Sequence, residues 1–237
     1  MSRWDALLAV QDHDTHVDQL VHRRATLPAR AELDGVMAEL AQLEQRAVVI
    51  DTTRQELAKG QQRLEDEIAS LQDKATQHDK TLYGGTIGNP RELQALQDEI
   101  ASLKRRISQL EDKELELMEQ IEPLDADLAQ LAAERASLDE RAEGLRALIA
   151  EDEVAIDDEL ATVRAERSAL ADGVESALLT EYEQLRSHLG GIAIARLVGG
   201  SCGGCHLALS AVEVDRIKKL PVEELVHCEE CGRLLAR

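Results

Sequence analysis

Phenylalanine is absent from this 237-residue chain, and one Trp with two Tyr leaves aromatic residues at 1%. Aromatic side chains supply much of the buried area of a globular core, so their scarcity argues against a large one. Proline occurs four times, and none of the four cysteines falls in the first 201 residues. That long stretch therefore has few helix breakers and no thiols. No apolar run approaches the length of a membrane span. The opening residues, MSRWDALLAVQDHDTHVDQL, mix acidic with apolar side chains and offer no small-residue cleavage site, unlike a secretory signal. Basic residues are also short: 27 Lys and Arg against 47 Asp and Glu give a net charge of −20. The expected location is cytoplasmic, where paired cysteines are metal ligands more often than disulfides.

What is present is a hydrophobic fraction of 43%, nearly all Leu, Ala, Val and Ile, beside abundant Glu, Arg and Gln. This palette suits long helices. Val36, Leu43, Ile50, Leu57, Leu64 and Leu71 repeat every seven residues, and Leu40, Ala47, Ile68, Ala75 and Leu82 form a second row. These are the a and d positions of a coiled-coil seam. Arg54 and Gln61 interrupt the second row, so packing there should be thin. An earlier register, with Val10 and Val17 in one row and Ala6, Leu20 and Leu27 in the other, changes phase around Pro28. A second seam has Leu93, Ile100, Ile107, Ile121, Leu128, Ile149, Ile156, Val163 and Leu170 in one row and Leu96 through Leu145 in the other. Its register runs unbroken through Pro123, which predicts a kink within one helix rather than a break.

Between the seams, Gly84, Gly85 and Gly88 mark a turn, Asn89 a cap, Pro90 the first helical position and Glu92 the third. Flanking helices of nearly equal length, roughly Ser2 to Leu82 and Pro90 to Ala171, predict an antiparallel hairpin whose arms each reach about 120 Å at 1.5 Å per residue. Reflection about Thr86 sets Pro28 opposite Gly144 and suggests a bend there. Val174 to Leu189 reads as a shorter amphipathic helix, Ile192 to Val198 as a β-strand. Ala211 to Lys219 reads as a short helix with Ser210 and Glu213 as its capping box.

The most specific signal is two C-x-x-C pairs, Cys202 with Cys205 and Cys228 with Cys231, 22 residues apart. Four thiolates surround one zinc tetrahedrally, and the spacing is close to that of known zinc sites. One structural Zn2+ is the expected cofactor, with iron the alternative metal. Glycines at 203, 204 and 232 would let backbone N–H groups turn toward the sulfurs. Cys202 to His206 also matches the c-type haem attachment motif, but the second pair would be idle and no aromatic wall exists for a haem. A thioredoxin-like pair would need a βαβ context that is missing. His206 and His227 adjoin cysteines and are either alternative or orienting ligands or plain solvated or strand-facing side chains. His13 and His78 sit at seam-like places in long helices. Nearly all carboxylates fall on outer heptad positions as solvated helix faces; no acid–base pair, serine elbow or phosphate loop stands out, so no catalytic residue is expected.

At this point the residues resemble a family. Asn89 to Leu96 at the turn, Tyr182-Glu183-Gln184-Leu185-Arg186, Cys202 to His206 and Cys228 to Leu235 are similar to marks of the bacterial proteins with an N-terminal coiled-coil hairpin and a C-terminal C4-type zinc ribbon, known in general terms as nucleic-acid-binding zinc-ribbon proteins. The resemblance implies a zinc-bound ribbon at the base of a long hairpin and no catalytic activity. Some relatives in flagellated bacteria are associated with the flagellar sigma factor and with flagellin messenger RNA.

Charge weighs against nucleic acid, whose binding rests on a basic surface. Residues 196 to 237 hold six basic and six acidic residues, and the other 195 hold 21 and 41, the whole of the −20. Candidate contacts for nucleic acid or a partner are Arg216, Lys218, Lys219, Arg233 and Arg237, but the ribbon has no aromatic stacking platform. The sequence thus leads to a mainly α protein: a long antiparallel coiled-coil hairpin over 1–172 turning near 83–89, a connecting helix and strand over 173–198, and a small β-rich C4 zinc ribbon over 199–237. Its expected role is a non-enzymatic adaptor or regulator. The hairpin would bind protein partners and the ribbon a protein or nucleic acid; direct RNA or DNA binding through the ribbon is the alternative. Monomer and homodimer remain open, and Arg54, Gln61, Glu114 and Arg135 are candidates for interhelical polar pairing.

Overall fold

The computed structural model describes residues 2–85, 87–221 and 223–237. Its elements are α1 (Arg3–Ala25), α2 (Pro28–Tyr83), α3 (Pro90–Ala171), α4 (Ser176–His188), β1 (Ile194–Val198), β2 (Ser201–Cys202), α5 (Ala211–Lys219) and β3 (Leu234–Ala236). The chain divides into two compact units, residues 1–31 with 145–237 and residues 32–144.

In the 32–144 unit, α2 and α3 run antiparallel. Ion pairs between them step outward from the turn: His78 with Glu99, Asp79 with Lys104, Glu67 with Arg106, Arg54 with Asp125 and Glu32 with Arg141. At the start of α3, Asn89 accepts the Arg91 amide at 3.0 Å and reaches the Glu92 carboxylate at 3.3 Å, so the cap reads as its sequence suggests. The helix is continuous through Pro123, as the unbroken heptad register requires. Near the turn Ile68, Ile107 and Leu110 form a buried cluster with Leu64 and Leu71 against it. The reflection centre at Thr86 lies outside the described residues.

The expected first arm, one helix from Ser2 to Leu82, is two helices. α1 ends at Ala25, the Thr26 amide closes on the His22 carbonyl, and Pro28 opens α2. A proline has no N–H to donate and its fixed φ suits a first turn, which is why the register changes phase there. Gly144, its suggested opposite, lies inside uninterrupted α3.

In the other unit, α1 carries a capping box at Ser2 and Asp5. It buries Trp4, Leu7, Val10, Gln11, Asp14 and Leu20; of the expected rows Val10, Leu20 and Leu27 are buried and Ala6 and Val17 half-buried. Trp4, Leu7 and Val10 pack with Ala171, Leu178, Tyr182, Ile194 and Leu234 in the larger core. The rare aromatic residues are concentrated here: Trp4 and Tyr182 are both wholly buried. The sheet has the order β2-β1-β3, with β1 antiparallel to β2 and parallel to β3. Alternating strand residues face opposite sides, and the cores follow that alternation. Ile194, Leu234 and Ala236 enter the helical core, whereas Ala195 and Leu235 enter a second one with Cys202, Leu209, Ile217, Val226 and Cys228. One sheet thus joins the helical base to the cysteine site.

β1 starts at Ile194, two residues later than expected. The preceding backbone is claimed by a side chain: Gln11 accepts the Ala193 and Ile194 amides and donates to the Ile194 carbonyl, all at 2.8 Å. Helix α5 spans Ala211–Lys219 as expected. Ser210 accepts the Glu213 amide, but the Glu213 carboxylate turns to Arg216, so only half of the capping box forms.

Candidate metal centre

Each cysteine pair sits on a tight turn, and the two turns repeat one hydrogen-bond pattern. The Cys202 amide donates to the Leu207 carbonyl and the His206 amide to the Cys202 carbonyl; correspondingly, Cys228 donates to Arg233 and Gly232 to Cys228. In both turns the residue after the second cysteine has positive φ, 62° at His206 and 74° at Gly232. Glycine meets that requirement freely, and His206 meets it against the usual cost of a side chain.

The turns bring the four sulfurs within 4.8 Å of one another, the only cluster of three or more metal-ligating side chains among the described residues. Cys202 and Cys231 are 3.9 Å apart, as are Cys205 and Cys228. A tetrahedral zinc with bonds of about 2.3 Å separates its sulfurs by about 3.8 Å, so the donor set fits one zinc. Cys202 and Cys228 are buried, Cys205 and Cys231 half-buried.

Backbone amides surround the sulfurs, although only one comes from the three glycines that suggest them. Of the three glycine N–H groups only that of Gly204 donates to a sulfur, Cys202 at 3.4 Å. Gly203 donates to the Arg196 carbonyl and Gly232 to the Cys228 carbonyl. Leu207, Glu230, Cys231 and Arg233 supply the other amides, to Cys205, Cys228 and Cys231. Gly203 and Gly204 are needed for space, since a Cβ would lie 2.9 Å from the Arg196 carbonyl oxygen and 2.6 Å from Arg233 Cδ. Burial pushes the Cys228 thiol up to about 12. At Cys231 burial is outweighed by the Arg233 amide and guanidinium and by neighbouring thiols, which bring it down to about 7. Such thiols do not ionise together unaided, and a divalent cation taking the place of their protons resolves the conflict.

Neither neighbouring histidine joins the cluster. His227 Nε2 instead meets Glu181 Oε1 on α4 at 3.0 Å. Four of the five candidate cations have partners in their own unit. Arg216 grips Glu213, Lys219 pairs with Asp215, and Arg233 donates to the Ile192 and Leu189 carbonyls. Arg237 donates to the carbonyls of Ile217, Leu220, Pro221 and Glu224. Lys218 is exposed.

A polar network centred on the buried Asp14 and Tyr182 escaped the sequence reading. The Asp14 carboxylate accepts the Tyr182 hydroxyl at 2.8 Å and Arg167 Nε at 3.1 Å, with Arg186 Nε at 3.9 Å. Arg167 continues to Glu183 and Arg186 to Asp18. Burial first, then the adjacent Asp14 charge, holds the Tyr182 hydroxyl well above its usual range. Burial works against the Arg167 and Arg186 charges, but their carboxylate partners outweigh it and raise both. Asp14 had been grouped with the solvated carboxylates because its partners lie about 150 residues away; the Tyr182–Arg186 motif was the one local signal, and three of its five residues prove to dock α4 onto α1 and α3.

Models of known families match both parts of the chain: a CT398-like coiled coil hairpin domain over residues 10–190 and a C4-type zinc ribbon domain over 201–235. The chain belongs to the CT398-like coiled-coil hairpin family. Its zinc-ribbon match and clustered thiols support one structural zinc. The chain is 31% identical over 239 residues to the uncharacterized protein Rv2229c of Mycobacterium tuberculosis H37Rv, covering 98% of this chain and 94% of that one. Similarity to the uncharacterized protein ML1638 of Mycobacterium leprae is 26% over 225 residues, covering 93% and 94%. A solved structure from Mycobacterium smegmatis matches with a TM-score of 0.89 at 24% identity, covering 100% and 97%. CT398 of Chlamydia trachomatis matches with 0.72 at 20%, covering 99% and 97%. These structural likenesses establish the CT398-like fold.

Proposed function

We propose that this protein is a non-enzymatic adaptor or regulator, in which the coiled-coil hairpin binds protein partners and the ribbon docks a second protein or a nucleic acid. The hairpin and ribbon domains support a non-catalytic structural or regulatory role. The observation that carries the reading is the closed thiol cluster: Cys202, Cys205, Cys228 and Cys231 supply all four ligands of one zinc and leave no open position for substrate or water. Zinc then acts as a cross-link that holds two turns too small to fold by burial alone.

A protein rather than a nucleic-acid partner is favoured by the fate of the ribbon's cations. Arg233 and Arg237 are held by backbone carbonyls, and Arg216 and Lys219 pair at the surface with Glu213 and Asp215, whereas phosphate binding depends on cations free to displace counterions. No helix of the described residues is long and apolar enough to cross a membrane. A cytoplasmic place of action is part of the proposal.

The test is a tagged pull-down from native cytoplasm, divided into nuclease-treated and untreated halves. Protein partners that persist after nuclease are the expected result. Enriched RNA or DNA, with proteins lost on digestion, would overturn the ranking and move the function to direct nucleic-acid binding by the ribbon. Lys218→Ala with Lys219→Ala would then reduce that binding.

A further inference from the structure

The coiled coil of the 32–144 unit is unevenly packed. Toward the turn its seam buries Ile68, Ala75, Ile100, Ile107 and Leu110. At the far end Val36, Leu43, Leu131 and Ala142 are buried again, but in the stretch between, Ile50, Leu57, Ile121, Leu124 and Leu128 are only half-buried. The cause is in the heptads: Arg54 and Gln61 occupy seam positions on α2, as do Glu114 and Arg135 on α3. Arg54 leaves the seam to meet Asp125 at 2.8 Å, Gln61 turns back to Glu65 and Arg135 to Asp139.

At the border of that half-buried stretch, beside the buried Leu43 and Leu131, an open groove of about 370 Å³ is floored by Leu43, Ala47, Val48, Leu128, Leu131 and Ala132. Val48 is 60% exposed, and Met118, two heptads before Ala132 on the same face of α3, is 46% exposed. Charge is uneven in the same place. Residues 32–58 and 114–144 carry 16 acidic and 4 basic side chains, whereas the turn-proximal 59–113 carry 10 and 9. Three of those four cations are already paired, Arg54 with Asp125, Arg135 with Asp139 and Arg141 with Glu32. Glu44, Asp51 and Arg135 line the groove itself, Arg135 being the one turned to Asp139.

We infer that this groove docks a basic amphipathic α-helix of a partner protein, its apolar stripe seated between α2 and α3 and its Lys and Arg residues facing the acidic walls. An apolar groove between two helices takes a further amphipathic helix through i, i+3/i+4, i+7 anchors. The acidic flanks select a cationic one and exclude nucleic acid. A second copy would set two equally acidic surfaces against each other, which charge repulsion disfavours. The inference rests on the adaptor reading and names the chemistry of the partner.

The full-length zinc-loaded protein is titrated, at about 150 mM salt, with three synthetic peptides of about 18 residues, long enough for five helical turns. One is an amphipathic helix with a Leu stripe flanked by Lys, one has the same composition scrambled, and one has Glu in place of Lys. Val48→Gln with Ala132→Gln fills the groove without changing charge, and circular dichroism checks that its helicity is retained. The expected result is saturable binding of the basic amphipathic peptide, weakened at least about tenfold by the double substitution and by scrambling, and absent for the Glu peptide. Equal binding of the scrambled peptide, indifference to the double substitution, or no binding would overturn the inference. So would wild-type self-association that the double substitution abolishes, because the groove would then belong to a second copy. Running the double variant through the nuclease-treated pull-down separates the two claims: partners retained equally by wild type and variant defeat the groove and leave the adaptor reading standing.

Discussion

Residues 1–31 with 145–237 and residues 32–144 are similar in length and drawn from one aromatic-poor composition, yet among the described residues the first contributes 24 of the buried hydrophobic side chains and the second 9. The first unit has a sheet with a core on each face, the thiol cluster and a buried ionic network. The second has two helices sharing a single seam. The difference teaches that helical periodicity alone yields an ordered element with little interior. A second layer, a rigid cross-link or long-range polar contacts are what make a unit that resists local opening.

The sharpest way to break the contrast is to remove the cross-link. Cys228→Ser is expected to lose the metal, whose binding in comparable sites is worth about 10–16 kcal/mol. The ribbon should unfold while the hairpin stays helical, as read by zinc content and far-ultraviolet circular dichroism. A variant that matches wild type in both would sink the structural role of the metal.

Next in size is the network around Asp14. Asp14→Ala leaves the buried Tyr182 hydroxyl without its acceptor and takes one of two carboxylate partners from each of Arg167 and Arg186, at a cost of about 2–3 kcal/mol. Amide exchange should quicken across α1 and α4 and stay unchanged near Ile68, Ile107 and Leu110. Equal acceleration near those three would mean that the units do not open separately.

Arg54→Leu should act in the opposite direction. It removes an exposed ion pair worth about 0.2–1 kcal/mol and fills an empty seam position worth about 1.5 kcal/mol or more. Thermal denaturation should show a more stable coiled coil; a lower midpoint would place real value in the Arg54–Asp125 pair.

His206→Gly relieves a positive φ that costs a side chain about 1 kcal/mol. It should strengthen zinc retention in a chelator competition, and weaker retention would give the imidazole a role that its absence from the thiol cluster denies. The smallest effect concerns Asp5, whose carboxyl is held below its ordinary 3.8 by the Ser2 hydroxyl first and by Arg196 beside it. A lowered carboxyl stabilises the fold above the ordinary value and loses that contribution as pH falls through the folded one. Asp5→Asn should therefore flatten a slight loss of stability below about pH 4, and an unchanged acid profile would remove Asp5 from the account.

Much of the hairpin was legible because its code is local. Heptads spaced by seven, Asn89-Pro90 as a helix start and an unbroken register through Pro123 depend only on near neighbours along one helix. The break at Pro28 announced itself as a phase change, yet whether a proline kinks a helix or begins a new one depends on what each half packs against. Pro123 and Pro28 took the two opposite courses. The thiol cluster was legible because two C-x-x-C turns carry their own geometry. Less legible were the surroundings of that cluster, since the amides that reach the sulfurs come mostly from residues other than the glycines.

What the sequence by itself determined is the coiled coil, its weak layer at Arg54 and Gln61, and the four thiols that converge, all written in spacings that short-range sterics enforce. Only the tertiary structure decided that Gln11 caps the edge of β1, that Asp14 is a buried hub rather than a solvated carboxylate, and that Arg233 and Arg237 are spent on backbone carbonyls. The physical reason is the same in each case: a polar side chain carries no mark of its partner. Whether it meets water, a carbonyl or an opposite charge is settled when distant segments pack.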